Sequence, residues 1–242
     1  MSTIPRMVVL LSLAALGCAG EDETLLQSAA RGDLAAVERV LERGAAIDEA
    51  DRGGFTALHK SLSRHHPQVA RYLIERGADV SAAAVYGVTP LHLVEDAHTA
   101  RMLIARGAGL DAWSKSRASP LHSAVERELP GLVRALIEAG ADVGSVDVHG
   151  STPLHYAAGK GNAEIVTALL RAGARPDHAN RYGYSPLHWA AGNGRARAVE
   201  LLLAGGASPA VTSADGATPR DKALADGHAA IAEVLRAAAT RR

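Results

Sequence analysis

The chain has 242 residues, 48% hydrophobic and 21% charged, which is enough apolar material for a sizeable core, yet aromatic residues make up only 3%. Its 26 basic residues balance its 26 acidic ones, so no overall field gathers a polyanion, and nucleic acid is excluded as the expected partner. With a single cysteine there is no intrachain disulfide framework, and the fold must rest on packing alone.

In chain order, residues 1–17 read as a signal peptide. Met1 to Arg6 carries one positive charge, and Met7 to Leu16 is an apolar run with Ser12 as its one polar residue, followed by the small residues Gly17, Cys18, Ala19 and Gly20. A run of about ten residues is half of what a membrane-spanning helix needs, so it reads as an export signal. "ALGC", Ala15 to Cys18, resembles a bacterial lipoprotein box, with Ala15 where Leu is usual. That resemblance implies lipidation of Cys18 and a chain anchored in the cell envelope, facing the periplasm. The alternative is cleavage after Ala19 by an ordinary signal peptidase, giving a soluble periplasmic or secreted protein. Residues 18–24 then form a short tether, about 25 Å at most when extended.

From residue 25 to 242 the chain repeats itself. "TPLHYAAGKGNAEIVTALLRAGA" (Thr152 to Ala174) returns as "SPLHWAAGNGRARAVELLLAGGA" (Ser185 to Ala207). The motif histidines His59, His92, His122, His155 and His188 are 33, 30, 33 and 33 residues apart, and the glycines Gly44, Gly77, Gly107, Gly140, Gly173 and Gly206 keep the same steps. The short step lies between His92 and Gly107, where three residues are missing, so the first helix or the turn of that unit should be shortened.

Each unit carries the same local signals. Thr152 or Ser185 caps a helix with Pro at its first position; Leu154, Ala157 and Ala158 share one face; Gly161 ends that helix. A second begins near Ala163 with Ile165, Val166, Leu169 and Leu170 as its apolar stripe, and Gly173 stops it. A polar stretch, Arg175 to Gly183, makes the connection, ending on a turn tip at Tyr182-Gly183. So small a helix pair cannot bury its own apolar face, so the units must stack into one continuous core.

These motifs resemble the ankyrin repeat over nearly the whole chain after Glu21. The resemblance implies an all-α solenoid of seven units, near 18–50, 51–83, 84–113, 114–146, 147–179, 180–212 and 213–242. The end units depart as caps should: the first has Leu26 at the His position and Gly32 at its turn, and the last has Arg220 and Asp221 in place of Leu-His.

Catalytic and metal chemistry find no home. The motif histidines recur once per unit, about 8–10 Å apart, too far to share a zinc ion with bonds of about 2 Å; each should instead hydrogen-bond turn backbone. His65 and His66 read as a turn. "AGKG" around Lys160 lacks the phosphate-loop spacing, since Leu154 stands where Gly is needed. No metal, no cofactor and no enzymatic activity are expected.

What remains is surface. The ankyrin resemblance implies a protein partner on the concave side, formed by turn tips and the exposed face of the short helices, and a monomeric chain. Mapping the pattern puts Arg52, Phe55, Val85, Tyr86, Lys115, Arg117, Val148, His149, Arg181, Tyr182 and Tyr184 at tips, and Lys60, Leu93, Ser123, Tyr156 and Trp189 on the short helices. The partner-binding candidates are Tyr86, His149, Tyr156, Arg181, Tyr182, Tyr184 and Trp189, because Tyr, Trp and Arg most often anchor interfaces. Phe55, Tyr156, Tyr184 and Trp189 read equally as packing between units, Tyr86 and Tyr182 less so. A second reading is a structural scaffold that stabilises an envelope complex without a discrete hot spot.

Overall fold

The computed structural model describes residues 23–240; the signal peptide at 1–17, Cys18 and most of the tether lie outside the described residues. Those described form fourteen α-helices. They pair as α1 (Leu25–Arg31) with α2 (Leu34–Glu42), α3 (Ala57–Ser63) with α4 (Pro67–Glu75), and α5 (Pro90–Leu93) with α6 (Ala97–Ala105). Next come α7 (Pro120–Glu126) with α8 (Pro130–Glu138), α9 (Pro153–Lys160) with α10 (Ala163–Arg171), α11 (Pro186–Gly192) with α12 (Ala196–Ala204), and α13 (Pro219–Ala225) with α14 (Ala229–Ala239). Odd-numbered helices pack on one another in one layer and even-numbered helices in a second. The core lies between these layers and runs the length of the stack. It is the expected solution to the burial problem: Leu58, Leu91, Leu121, Leu154 and Leu187 recur at one helical position and are all at most 1% exposed.

The short helices start where the sequence places them. Thr56, Thr89, Ser119, Thr152, Ser185 and Thr218 are N-caps in extended backbone, and in each case the third helical residue returns a bond to the cap. In α1 that residue is Gln27, bonded to the Thr24 backbone N–H at 3.1 Å. Gln27 therefore does at this cap what the histidines do at theirs, while Leu25 and Gly32 keep the 33-residue step to Leu58 and His65; Leu26 stands at the His position, and α1 starts one residue later than the register. In the last unit Asp221 plays the same part.

Between units the tips form their own backbone ladder. Val85 N–H donates to Gly53 O at 2.7 Å, Lys115 to Tyr86 O at 2.5 Å, Val148 to Ser116 O at 2.9 Å, Arg181 to His149 O at 2.9 Å and Ala214 to Tyr182 O at 3.0 Å. Successive tips are therefore tied in register with no strand among the described residues. The approach is close enough to demand glycine: at Gly183, where φ is +75°, a Cβ would lie 2.5 Å from Ala214 N.

The third unit is shortened as its three missing residues require. α5 has only four residues and ends at Val94 in extended backbone (φ −61°, ψ 147°), from which the chain runs directly to Asp96, the N-cap of α6. The carbonyls freed by the lost turn are taken by a neighbour. Arg127 of the fourth unit donates to His92 O and Val94 O, both at 3.2 Å, and pairs with Glu95 at 2.5 Å. His65 of the second unit donates to the same Glu95 at 2.6 Å. A polar splint thus crosses three units where a helical turn is absent.

Candidate functional site

Five buried histidines run beside the tip side of the stack, each 5% exposed or less. In every one, Nδ1 accepts the backbone N–H of its own cap residue, at 3.1–3.2 Å. Nε2 meets a carbonyl of the next unit: His59 with Val88, His92 with Ala118, His122 with Ser151, His155 with Tyr184 and His188 with Ala217, at 3.0–3.1 Å. A backbone N–H can only donate and a carbonyl only accept, so the network fixes the neutral tautomer with its proton on Nε2. Burial lowers the pKa of all five, that of His155 to about 4. The expected bond to turn backbone is thus the link from one unit to the next, and it leaves no lone pair for a metal.

The predicted partner-binding residues separate by exposure. Tyr86 and Tyr182 stand out from their tips at 65% and 56%, and His149 and Arg181 are also exposed. Tyr156, Tyr184 and Trp189 are half-buried and pack between units. Trp189 meets Tyr156 and His155 edge-on, with ring centroids 5.4 and 5.7 Å apart, and Tyr184 lies against His188 at 5.5 Å. Tyr184 and Trp189 line a groove of about 380 Å³ over α11 and α13, closed by Lys222 and Asp226. Tyr182 and His149 face each other at 6.2 Å on adjacent tips. Of the predicted residues, Tyr182, His149 and Arg181 are exposed on two adjacent tips, Tyr156, Tyr184 and Trp189 are half-buried, and Tyr86 stands apart on the third tip.

The polar groups beneath are internally satisfied. Asp147 is 4% exposed; it accepts from the Tyr156 hydroxyl at 2.6 Å and from the backbone N–H of His149 and Ser151, each at 2.8 Å. Burial opposes its charge, but these bonds prevail and hold its carboxyl below the usual range. Burial and that carboxylate push the Tyr156 phenol up. Neither group is poised to exchange protons near neutrality, which makes the pair a brace.

A second cluster sits at the third and fourth tips. Val85, Tyr86 and Trp113 are large apolar side chains at 42%, 65% and 42% exposure. Lys115 Nζ lies 5.2 Å from the Tyr86 ring and the Arg117 guanidinium 5.4 Å from that of Trp113. Sequence reading placed Tyr86, Lys115 and Arg117 at tips but not the pairing. Spacing signals neither pair, since Tyr86 and Lys115 come from different units and Trp113 and Arg117, four residues apart, lie outside any helix.

Stacked helix pairs that present a row of exposed, chemically varied tips on a rigid base define a repeat-built interaction scaffold. The profile described as ankyrin repeats (3 copies) matches residues 6–84 and 121–213; the chain belongs to the ankyrin-repeat family. It is similar to the human ASB11 ankyrin repeat domain, with a TM-score of 0.81 at 26% identity, covering 89% of this chain and 97% of that one. It is also similar to protein phosphatase 1 regulatory subunit 27 of Homo sapiens, 36% identical over 90 residues, which is 37% of this chain and 56% of that protein. A third similarity is to ankyrin repeat domain-containing protein 40 of Mus musculus, 34% identical over 74 residues, 30% of this chain and 20% of that protein. The chain thus matches only part of the length of these curated relatives. The ankyrin fold is typically a non-enzymatic module that binds proteins.

Proposed function

We propose that this ankyrin-repeat module captures a protein partner along the concave face built from its tips and short helices. It acts without catalysis, as an exported protein held at the periplasmic face of a bacterial envelope membrane by lipid on Cys18. The observation that carries the binding reading is where large apolar side chains stay exposed. Val85, Tyr86, Trp113 and Tyr182 do so at tips or on the loop leading to one, and Leu224 and Val234 do so on α13 and α14. Burying such aromatics against a partner is the ordinary source of interface energy. The closed His and Tyr156–Asp147 networks support a non-catalytic role. "ALGC" at Ala15 to Cys18 supports the lipid anchor.

Tyr182→Ala tests the surface cleanly, because the side chain is exposed and only its weak 3.5 Å contact with His149 is lost. Partner capture should weaken about tenfold with no change in unfolding midpoint; capture equal to wild type would reject the patch. Trp189→Ala is a poor probe, since Trp189 also packs on His155 and Tyr156. Mass spectrometry of the native N-terminus separates the anchoring readings. An acylated Cys18 supports the tether, and a chain beginning at Gly20 rejects it.

A further inference from the structure

The shortened third unit leaves a gap in the short-helix wall. Over α5, which lacks a turn, lies a groove of about 540 Å³ with Tyr86, Val88, Leu93 and Val148 as its apolar lining, Lys115 on the tip rim and Glu126 on the wall formed by α7. It continues past Leu93 and Ser123 toward the His65–Glu95–Arg127 splint. An apolar notch thus opens in the short-helix row where α5 lacks its turn.

Backbone strain is concentrated around that notch. The non-glycine residues with positive φ are His65 (62°), Tyr86 (64°), Arg117 (54°) and Glu128 (56°). They occupy the turn of the second unit, the tip of the third, and the tip and turn of the fourth. In the fifth, sixth and seventh units the residues matching Arg117 and Glu128 are glycines, Gly150 and Gly161, Gly183 and Gly194, Gly216 and Gly227, whereas the third unit keeps its tip glycine, Gly87 (φ 70°), and Tyr86 precedes it as an additional left-handed residue. Where a side chain is disfavoured, this chain keeps Arg117 in place of the tip glycine and sets Tyr86 beside Gly87, both exposed.

Exposed charge at the third and fourth tips is cationic, while the exposed tip carboxylate Asp215 lies on the seventh tip, at the far end of the row. The tips carry exposed Arg52, Lys115, Arg117 and Arg181. The carboxylates of the second and fifth tips are engaged inward: Asp51 accepts from Gly53, Phe55 and Lys60, and Asp147 from Tyr156. Among the described residues, Lys115 and Arg117 stack on aromatic rings and form no ion pair. A chain of zero formal charge thus presents a locally cationic, aromatic edge beside an apolar notch.

We infer that this notch docks an acidic, extended segment of a partner protein, with one bulky apolar side chain entering over Leu93 and flanking carboxylates meeting Lys115 and Arg117. The inference rests on the interaction-module reading and names its ligand chemistry at a place distinct from the Tyr182 patch. Glu126 on the α7 wall disfavours carboxylates on the floor, so they run along the tip rim. Side chains at alternate positions of an extended segment lie about 7 Å apart, which lets one carboxylate reach the rim on each side of the apolar residue.

The test uses the full chain and a short fluorescein-labelled peptide of Asp and Glu around one central Phe, followed by anisotropy. Saturable binding is expected, weakened about tenfold by Tyr86→Ala and by Arg117→Gly, and unchanged by Arg171→Glu on α10 or by Tyr182→Ala. Arg117→Gly is chosen because glycine favours the backbone already present there, so its effect reads the lost guanidinium and not unfolding. A peptide with Lys in place of the acids should not bind, and one with Ser in place of Phe should bind more weakly. No saturable binding would overturn the inference, as would equal competition by single-stranded DNA or by phosphatidylglycerol vesicles. Loss of peptide in Tyr182→Ala with retention in Arg117→Gly would also overturn it, while leaving the interaction-module reading standing.

Discussion

Acid should loosen this stack through its histidines before its carboxylates respond. His155 is wholly buried, donates to Tyr184 O at 3.0 Å and accepts from Thr152 N–H at 3.1 Å; a proton on Nδ1 would abolish the acceptor. Burial holds its pKa at about 4, against 6.5 for the ordinary group. The unfolded chain therefore takes up the proton first. The stabilisation is complete above about pH 6.5 and drains away as pH falls toward about 4. At about 1.4 kcal/mol per pH unit of difference, His155 alone accounts for about 3 kcal/mol, and the other four motif histidines shift in the same direction. Asp51, Asp147 and Asp221 are held below the usual carboxylate range, so their contribution is lost only below about pH 4. The two windows do not coincide. His155→Gln separates them, because Gln27 shows that glutamine serves as the third-residue acceptor while it cannot titrate. Urea unfolding followed by circular dichroism should put the variant about 1–3 kcal/mol below wild type near neutrality, for the lost bond to Tyr184 O. That gap should narrow steadily toward about pH 4.5. A gap constant across the range would refute the assignment of the acid response to this ladder.

Two further outcomes follow from the packing. Gly183→Ala should cost more than about 2 kcal/mol, since it forces a Cβ to 2.5 Å from Ala214 N, whereas Arg117→Gly at the equivalent tip should leave the unfolding midpoint nearly unchanged; thermal melts of the pair check this. Arg127→Ala should uncap the His92 and Val94 carbonyls and release Glu95. The expected cost is about 1–2 kcal/mol, and hydrogen exchange should rise in α5 and α6 before it rises in α9 and α10.

The repeating architecture was legible because burial imposes it at fixed positions: a cap, a leucine and a histidine at constant offsets, with glycine where the backbone turns left-handed. The shortened third unit was legible for the same reason, as a break in two independent rulers. What fills the break was not. Glu95, Arg127 and His65 are about thirty residues apart, and each reads as an ordinary surface charge until stacking brings them together. His65 was read as a turn and Tyr86 and Arg117 as tips, but their left-handed backbone, like that of Glu128, was silent, because the signal sought for it was glycine. The cap formed by Thr24 and Gln27 was not legible, because α1 starts one residue later than the register and the first unit drops both the proline and the histidine that mark a cap. On the candidate surface, sequence placed Tyr182 and Trp189 together, but only packing shows that Tyr182 is free and that Trp189 braces His155.

The claim that the tip-and-short-helix side is the recognition face is tested most directly by photo-crosslinking in the cells that make the protein. A photoreactive phenylalanine would stand at Tyr182 in one strain and at Glu200, on the outer long helix α12, in another. The account predicts a discrete protein adduct from position 182 and none from position 200. Adducts of equal yield at both positions, or at 200 alone, would contradict it.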